Sequence, residues 1–321
     1  MKKFPIIIFL LRLTLFIAIL IVFDNLCGRV LRKMYFNQKV GQLAQTTYAI
    51  DSASQDILIF GSSKATRQYS PLLISKGTNL SCYNLGRDAQ QLPYYVAISE
   101  ITIKRHLPKL IIVDMMSKEL YTDKSKYTKL SILLPYCEKH PEFNEYIKDI
   151  SSYEKYALLS KIYPFNSLLF IMINNSLFQN KIIKDDLGYL PLFGILTKEQ
   201  RDIIIKRKNA FDLRNDNEKG LKIDNKSVQY FKKFLNNTSM NGIKTVVVIS
   251  PSIVKEPEVC INEIKNICTQ YSNVTFLDFS NNEKYYLRNE KFSDMFHLNK
   301  SGSEEFSNDL NKILKDKLLI K

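Results

Sequence analysis

Along the chain, apolar residues come in two kinds of run. The first is a single long one. Pro5 to Phe23 is almost wholly apolar and, as a helix, spans roughly 28 Å, about one hydrocarbon core. Arg12 interrupts it, and a long Arg side chain can carry its charge toward the headgroups. The second kind is short and recurs: Ile57–Phe60, Cys82–Leu85, Leu110–Val113, Thr245–Ile249 and Val274–Leu277. Continuous rather than alternating apolar runs of this length predict strands covered on both faces, as in a parallel sheet. Helical patterns predict helices over Leu92–Lys104, Val228–Met240, Val259–Tyr271 and Ser303–Leu318. Alternating strands and helices predict a doubly wound α/β fold. The expectation is a flavodoxin-like three-layer sandwich around five parallel strands, with an N-terminal transmembrane helix.

Two segments fall outside that alternation. Leu31 to Ala53 reads as a mixed, partly helical connector. Residues 120–225, rich in Tyr, Phe and Lys, are too many for a plain loop between neighbouring strands. They predict a helical insertion beside the active face, with a turn at Gly188-Tyr189-Leu190-Pro191. The organisation expected is therefore a membrane anchor at 1–30 and an α/β domain at 31–321 with its insertion at about 120–225.

No small-x-small cleavage site follows the apolar run, and Asn25-Leu26 rather than small residues precede Cys27, so the segment reads as an uncleaved anchor. Lys2 and Lys3 precede the span while Arg29, Arg32 and Lys33 follow it. The positive-inside count thus does not favour an exported body.

Composition changes little. Hydrophobic residues at 45% and charged residues at 24% suit a folded protein. The formal net charge of +14 comes from lysines spread along the chain, without a basic run or a nucleic-acid motif. Five scattered cysteines without a Cys-x-x-Cys pair argue against a disulfide framework and a structural zinc site. No metal or organic cofactor is required by anything in the sequence.

Two motifs carry candidate chemistry. Gly61-Ser62-Ser63 directly follows the first strand, on the carboxyl side where open α/β sheets bind ligands. Gly61 permits a tight turn, and the next helix aims free N–H groups at an anion or developing oxyanion. Taken alone, the two serines do no more than cap that helix. The second motif is Asp294-Met295-Phe296-His297, between the fifth strand and the last helix. Its spacing lets Asp294 hold one imidazole nitrogen while the other faces a nucleophile. His106 and His140, the other histidines, stand in charged, solvated contexts.

Together the two motifs resemble the SGNH/GDSL hydrolase superfamily. The resemblance covers residues 55–118 and 242–318. It implies Ser63 as nucleophile, His297 as base and Asp294 as the residue that orients it. Ser62 replaces the usual Asp of a Gly-Asp-Ser block. Asn84-Leu85-Gly86 follows the second strand, which implies Gly86 N–H beside Ser63 N–H in an oxyanion hole. The Gly-x-Asn-Asp block after the third strand is absent: Asp114-Met115-Met116-Ser117-Lys118-Glu119 stands there, with Lys118 near the position of the missing Asn donor. The anchor and Arg67-Gln68-Tyr69-Ser70-Pro71 bring the chain nearer a membrane-anchored branch, which resembles the D-alanyl-transfer and polysaccharide O-acetylation accessory proteins that accompany membrane-bound O-acyltransferases.

The resemblance implies a serine acyl-esterase or acyltransferase acting on a cell-envelope glycan, with an extracytoplasmic body on a single-pass anchor. Its implied partners are the membrane, a glycan or acyl-ester substrate and a membrane-bound O-acyltransferase, without nucleic acid. The alternative is a non-catalytic accessory that keeps the fold and binds the acyltransferase or glycan. A nucleotide-binding flavodoxin-like domain is weaker, because the first loop lacks a Gly-rich phosphate cradle.

Overall fold

The computed structural model describes residues 3–123, 125–178, 186–214 and 222–318. Lys2 and the parts of the predicted insertion at 124, 179–185 and 215–221 lie outside the described residues. The chain divides into two compact units, residues 1–44 with 130–182, and residues 45–129 with 183–321.

In the larger unit, five parallel strands run in the order β2-β1-β3-β4-β5. They are β1 (Ile57–Phe60), β2 (Cys82–Asn84), β3 (Leu110–Asp114), β4 (Lys244–Ile249) and β5 (Val274–Asp278). This is the flavodoxin-like order, with its topological switch point between β1 and β3. The continuous apolar runs are explained by alternation across two covered faces. Ile57, Ile59, Ile112, Val246 and Val248 pack in one core with Tyr69 and Ile74, and with Phe306, Leu310 and Leu314 of the last helix. On β1 the intervening Leu58 and Phe60 are equally buried, and the Phe60 ring lies 6.3 Å from that of Phe234. Phe234 belongs to the helix Asn225–Met240, which packs with Leu92–Arg105.

Element boundaries shift modestly from expectation. The helix expected over 259–271 ends at Cys268, where the chain tightens into a turn, and the last helix begins three residues early, at Lys300. A helix at Pro71–Thr78 was not expected. Pro71 occupies its first turn, where a missing N–H is harmless, and Asn79 ends it in the left-handed conformation. The segment 186–196, beginning at the predicted Gly188 turn, lies along β2. Asn84 N–H donates to Leu187 O at 2.9 Å, and Leu190 N–H to Thr66 O at 3.0 Å.

In the smaller unit, the expected anchor and connector are one helix, Lys3–Phe36, followed by the start of Gly41–Asp51. Lys3–Phe36 is long and apolar enough to cross a membrane, and the window that passes this test has none of its residues buried. Beyond its apolar stretch the helix joins a folded cluster. Tyr35 is fully buried, edge-on to Tyr136 at 5.6 Å, with the two hydroxyls 3.1 Å apart.

Candidate active site

The tight turn after β1 is set by Gly61, whose φ of 148° favours glycine, and whose missing Cβ leaves room for the Asp114 carbonyl. Ser62 then caps the helix Ser63–Gln68, its hydroxyl accepting the Lys64 N–H at 3.3 Å. The two serines therefore divide their tasks. Ser62 satisfies the backbone, and Ser63, first in the helix, directs its side chain elsewhere.

It meets His297. Ser63 Oγ lies 2.8 Å from His297 Nε2, and His297 Nδ1 lies 2.9 Å and 3.0 Å from the two Asp294 carboxylate oxygens. These partners choose the tautomer. A carboxylate only accepts, so Nδ1 carries the proton, leaving Nε2 to accept from the Ser63 hydroxyl. Asp294 Oδ1 also accepts the N–H groups of Phe296, at 2.7 Å, and His297, at 2.9 Å. Burial raises the Asp294 pKa, but the bond from His297, the Phe296 N–H and the neighbouring imidazole outweigh it. The carboxyl ends below its ordinary value and stays ionised. The structure thus brings together Ser63, His297 and Asp294 from segments more than 230 residues apart.

Supports on both sides hold this alignment. Gln68 Nε2 donates to Phe296 O at 3.1 Å, joining the serine helix to the histidine loop. Asn299, two residues past the histidine, accepts the Gly302 N–H and donates to Gly194 O and Glu290 O. Asn84 Nδ2 donates to Ala65 O at 2.7 Å and to Tyr69 O at 3.1 Å, fixing the serine helix to β2.

The expected oxyanion donors fall differently. The Ser63 N–H opens its helix and has no intrahelical partner by position. The Gly86 N–H donates to Asn84 Oδ1 at 2.9 Å. Gly86 sits so close to the serine helix that a Cβ there would lie 2.7 Å from Thr66 N. Lys118 is exposed and lines a cavity of about 400 Å³ shared with Lys64, Gln91, Ser117 and Phe296. Lys64 and Phe296 are the chain neighbours of Ser63 and His297, so the cavity lining reaches to within one residue of each.

Sequence reasoning missed three residues here. Asp114, at the end of β3, is buried and accepts the Tyr69 hydroxyl at 2.6 Å. Burial raises its pKa against the opposing pull of Lys64. Glu119 is buried at the edge of the same cavity, accepting the Leu92 N–H at 2.6 Å, and burial pushes its carboxyl up to about 7. Arg67 pairs with Asp88 and donates to Leu190 O at 3.0 Å. Position at strand ends was the available signal for Asp114; nothing local marked Glu119.

No protein-family model matches the sequence, and no curated protein matches it. Among solved structures, it is similar to a Streptococcus pneumonia protein provisionally described as a platelet activating factor. The match has 12% identity and a TM-score of 0.43, covering 92% of this chain and 97% of that one. Similarity at that level bears on neither substrate nor chemistry.

Proposed function

We propose that this chain is a membrane-anchored SGNH-type serine acyl-esterase or acyltransferase acting on a cell-envelope glycan. The observation that carries the reading is the unbroken hydrogen-bond path from Asp294 through His297 to Ser63. In the reaction, His297 Nε2 takes the Ser63 proton as Oγ attacks the ester carbonyl. The tetrahedral oxyanion forms at the start of the serine helix, beside the Ser63 N–H. His297 returns the proton to the leaving alkoxide, and the acyl group remains on Ser63. Water or a glycan hydroxyl then gives its proton to His297 and takes the acyl group, and His297 passes that proton to Ser63 Oγ as the acyl bond to serine breaks. Asp294 stabilises the imidazolium at both stages.

Residues 1–30 serve as the anchor and 31–321 as the body, its insertion at about 120–225. An uncleaved anchor is supported by Asp24, which accepts the Ser160 hydroxyl at 2.5 Å and the Lys161 N–H at 2.7 Å. Cleavage at the end of the apolar run would strip a folded unit of its helix. The body is assigned to the extracytoplasmic side because the implied substrates are there. A reporter fused to the C-terminus should be active only outside the cytoplasm; cytoplasmic activity would contradict the glycan substrate.

One observation favours the second reading, a non-catalytic accessory for a membrane-bound O-acyltransferase. The Gly86 N–H is already bonded to Asn84, and no Asn stands at Lys118, so two of three superfamily donors are altered. Losing one such donor costs roughly 10²–10³ in rate. The two readings separate in cells. An enzyme requires that Ser63→Ala abolish glycan acylation. A folded Ser63→Ala chain that supports acylation at the normal level establishes the accessory reading instead.

A further inference from the structure

The smaller unit contains a cavity of its own, of about 400 Å³, between the Lys3–Phe36 helix and the segment around Ser160. Its walls carry three cations, Arg29, Arg32 and Lys161, against one carboxylate, Glu138. Glu138 is engaged already, at 3.0 Å from Arg32 and 3.9 Å from Lys161. Arg29 has no carboxylate partner among the described residues and is exposed. Deeper in, Leu134, Leu158 and Phe165 make the lining apolar. The cavity therefore pairs a basic mouth with a greasy floor.

Its height on the helix is what gives that chemistry a meaning. Phe23 ends the apolar stretch, and at 1.5 Å per residue Gly28 and Arg29 lie roughly 8–9 Å further along the axis. On the reading that this helix crosses a membrane, that is the outer edge of the headgroup layer, about 5–8 Å deep on each side of the hydrocarbon. Helical side chains tilt toward the N-terminus, which turns Arg29 back toward the lipid. The opposite wall is fixed at the same height. Asp24 holds the Ser160 hydroxyl and the Lys161 and Ile162 N–H groups. Gly28 lets the Lys161 backbone approach the helix, since a Cβ there would lie 2.8 Å from the Lys161 carbonyl oxygen. Tyr153, Tyr156 and Leu159, on the same segment, point large apolar surfaces into solvent. Tyrosines of this kind suit a membrane interface.

We propose that this cavity binds the headgroup of an anionic phospholipid, with Arg29 and Lys161 taking the phosphodiester and the apolar floor taking the glycerol end. Guanidinium matches phosphate oxygens in a bidentate fork. A net-anionic headgroup is preferred because the cations of the wall outnumber its one carboxylate, already engaged by Arg32 and Lys161, and the choline cation of a zwitterionic lipid would face that net positive charge. The site is independent of the Ser63 chemistry and rests only on the membrane reading of the helix.

The test uses the full chain in a neutral maltoside detergent, with thermal unfolding followed by a thiol-reactive dye, since four of the five cysteines are buried. Dioleoyl phosphatidylglycerol should raise the unfolding midpoint by a few degrees, as a native-state ligand does. Dioleoyl phosphatidylcholine at the same mole fraction, and inorganic phosphate at the same concentration, should leave it unchanged. Arg29→Gln should shrink the rise and Arg29→Gln/Lys161→Gln should remove it. An equal rise with phosphatidylcholine or with phosphate alone overturns the proposal, as does an undiminished rise in the double variant. Native mass spectra of the unaltered chain with equimolar lipids provide a second measurement free of folding artefacts. Preferential phosphatidylglycerol adducts support the site, and equal adducts overturn it. Flotation with phosphatidylcholine vesicles separates this from failure of the anchor reading: parent and double variant should both float, and a parent that does not float removes the membrane premise itself.

Discussion

At the residue scale the site depends on a few buried polar groups whose protonation and pairing can be perturbed singly. Glu119 is the sharpest case. Its carboxyl titrates near 7 in the native state because burial outweighs the Leu92 N–H bond and the Lys126 charge. The unfolded chain releases that proton near the ordinary Glu value, about 4.3. The stabilisation is therefore fully present below pH 4 to 5 and is lost as the pH rises through 7. Its size is on the order of 3 kcal/mol. Glu119→Gln should lose less stability than the parent between pH 5 and pH 8, read from urea midpoints. Equal losses would show that Glu119 ionises normally. The proposed catalytic residues were readable at this scale because each sat in a motif at a strand end, Ser63 after β1 and Asp294/His297 after β5. Glu119 was not, since its altered pKa comes from burial beneath residues far away in sequence. The Gly86 N–H was legible as a position but not as a bond, because Asn84 takes it through a side-chain rotamer.

At the element scale, the serine helix is only six residues long. It cannot hold its orientation by its own hydrogen bonds. Asn84 supplies the hold from β2: its amide donates to Ala65 O and Tyr69 O, and its oxygen accepts the Gly86 N–H. Asn84→Ala leaves two buried carbonyls and one buried N–H unpaired, and should destabilise the chain by about 2–4 kcal/mol. It should also lower Ser63 reactivity in protein that remains folded. A loss below about 1 kcal/mol, in denaturant unfolding, would mean that other contacts set the helix. The strands were legible because short continuous apolar runs, too brief for a buried helix, suit strands covered on both faces. The short helix Pro71–Thr78 was not, since two turns give too little periodicity to distinguish from a loop. The boundary errors at Cys268 and Lys300 have the same origin: capping turns are set by local geometry that the apolar pattern does not carry.

At the scale of the whole molecule, the parallel sheet explains why residues at 63 and 297 belong together. Every strand points its carboxyl end to the same side, and the order reverses between β1 and β3, where Ser63 stands. The sequence pattern implied this convergence. It did not imply that the start of the expected connector, residues 31–36, would continue the apolar helix, because that stretch is polar enough to read as a linker until Tyr35 is seen buried. In the proposed function, the assembled Asp294–His297–Ser63 path makes Ser63 a nucleophile. Labelling of the folded, detergent-solubilised chain with a fluorophosphonate, followed by peptide mass mapping, tests it most directly. The adduct should sit on Ser63, fall by roughly 10³-fold or more in rate in His297→Ala and Asp294→Asn, and persist with a smaller loss in Ser62→Ala. A folded chain that takes no label at Ser63, or labels equally fast without His297, would contradict it.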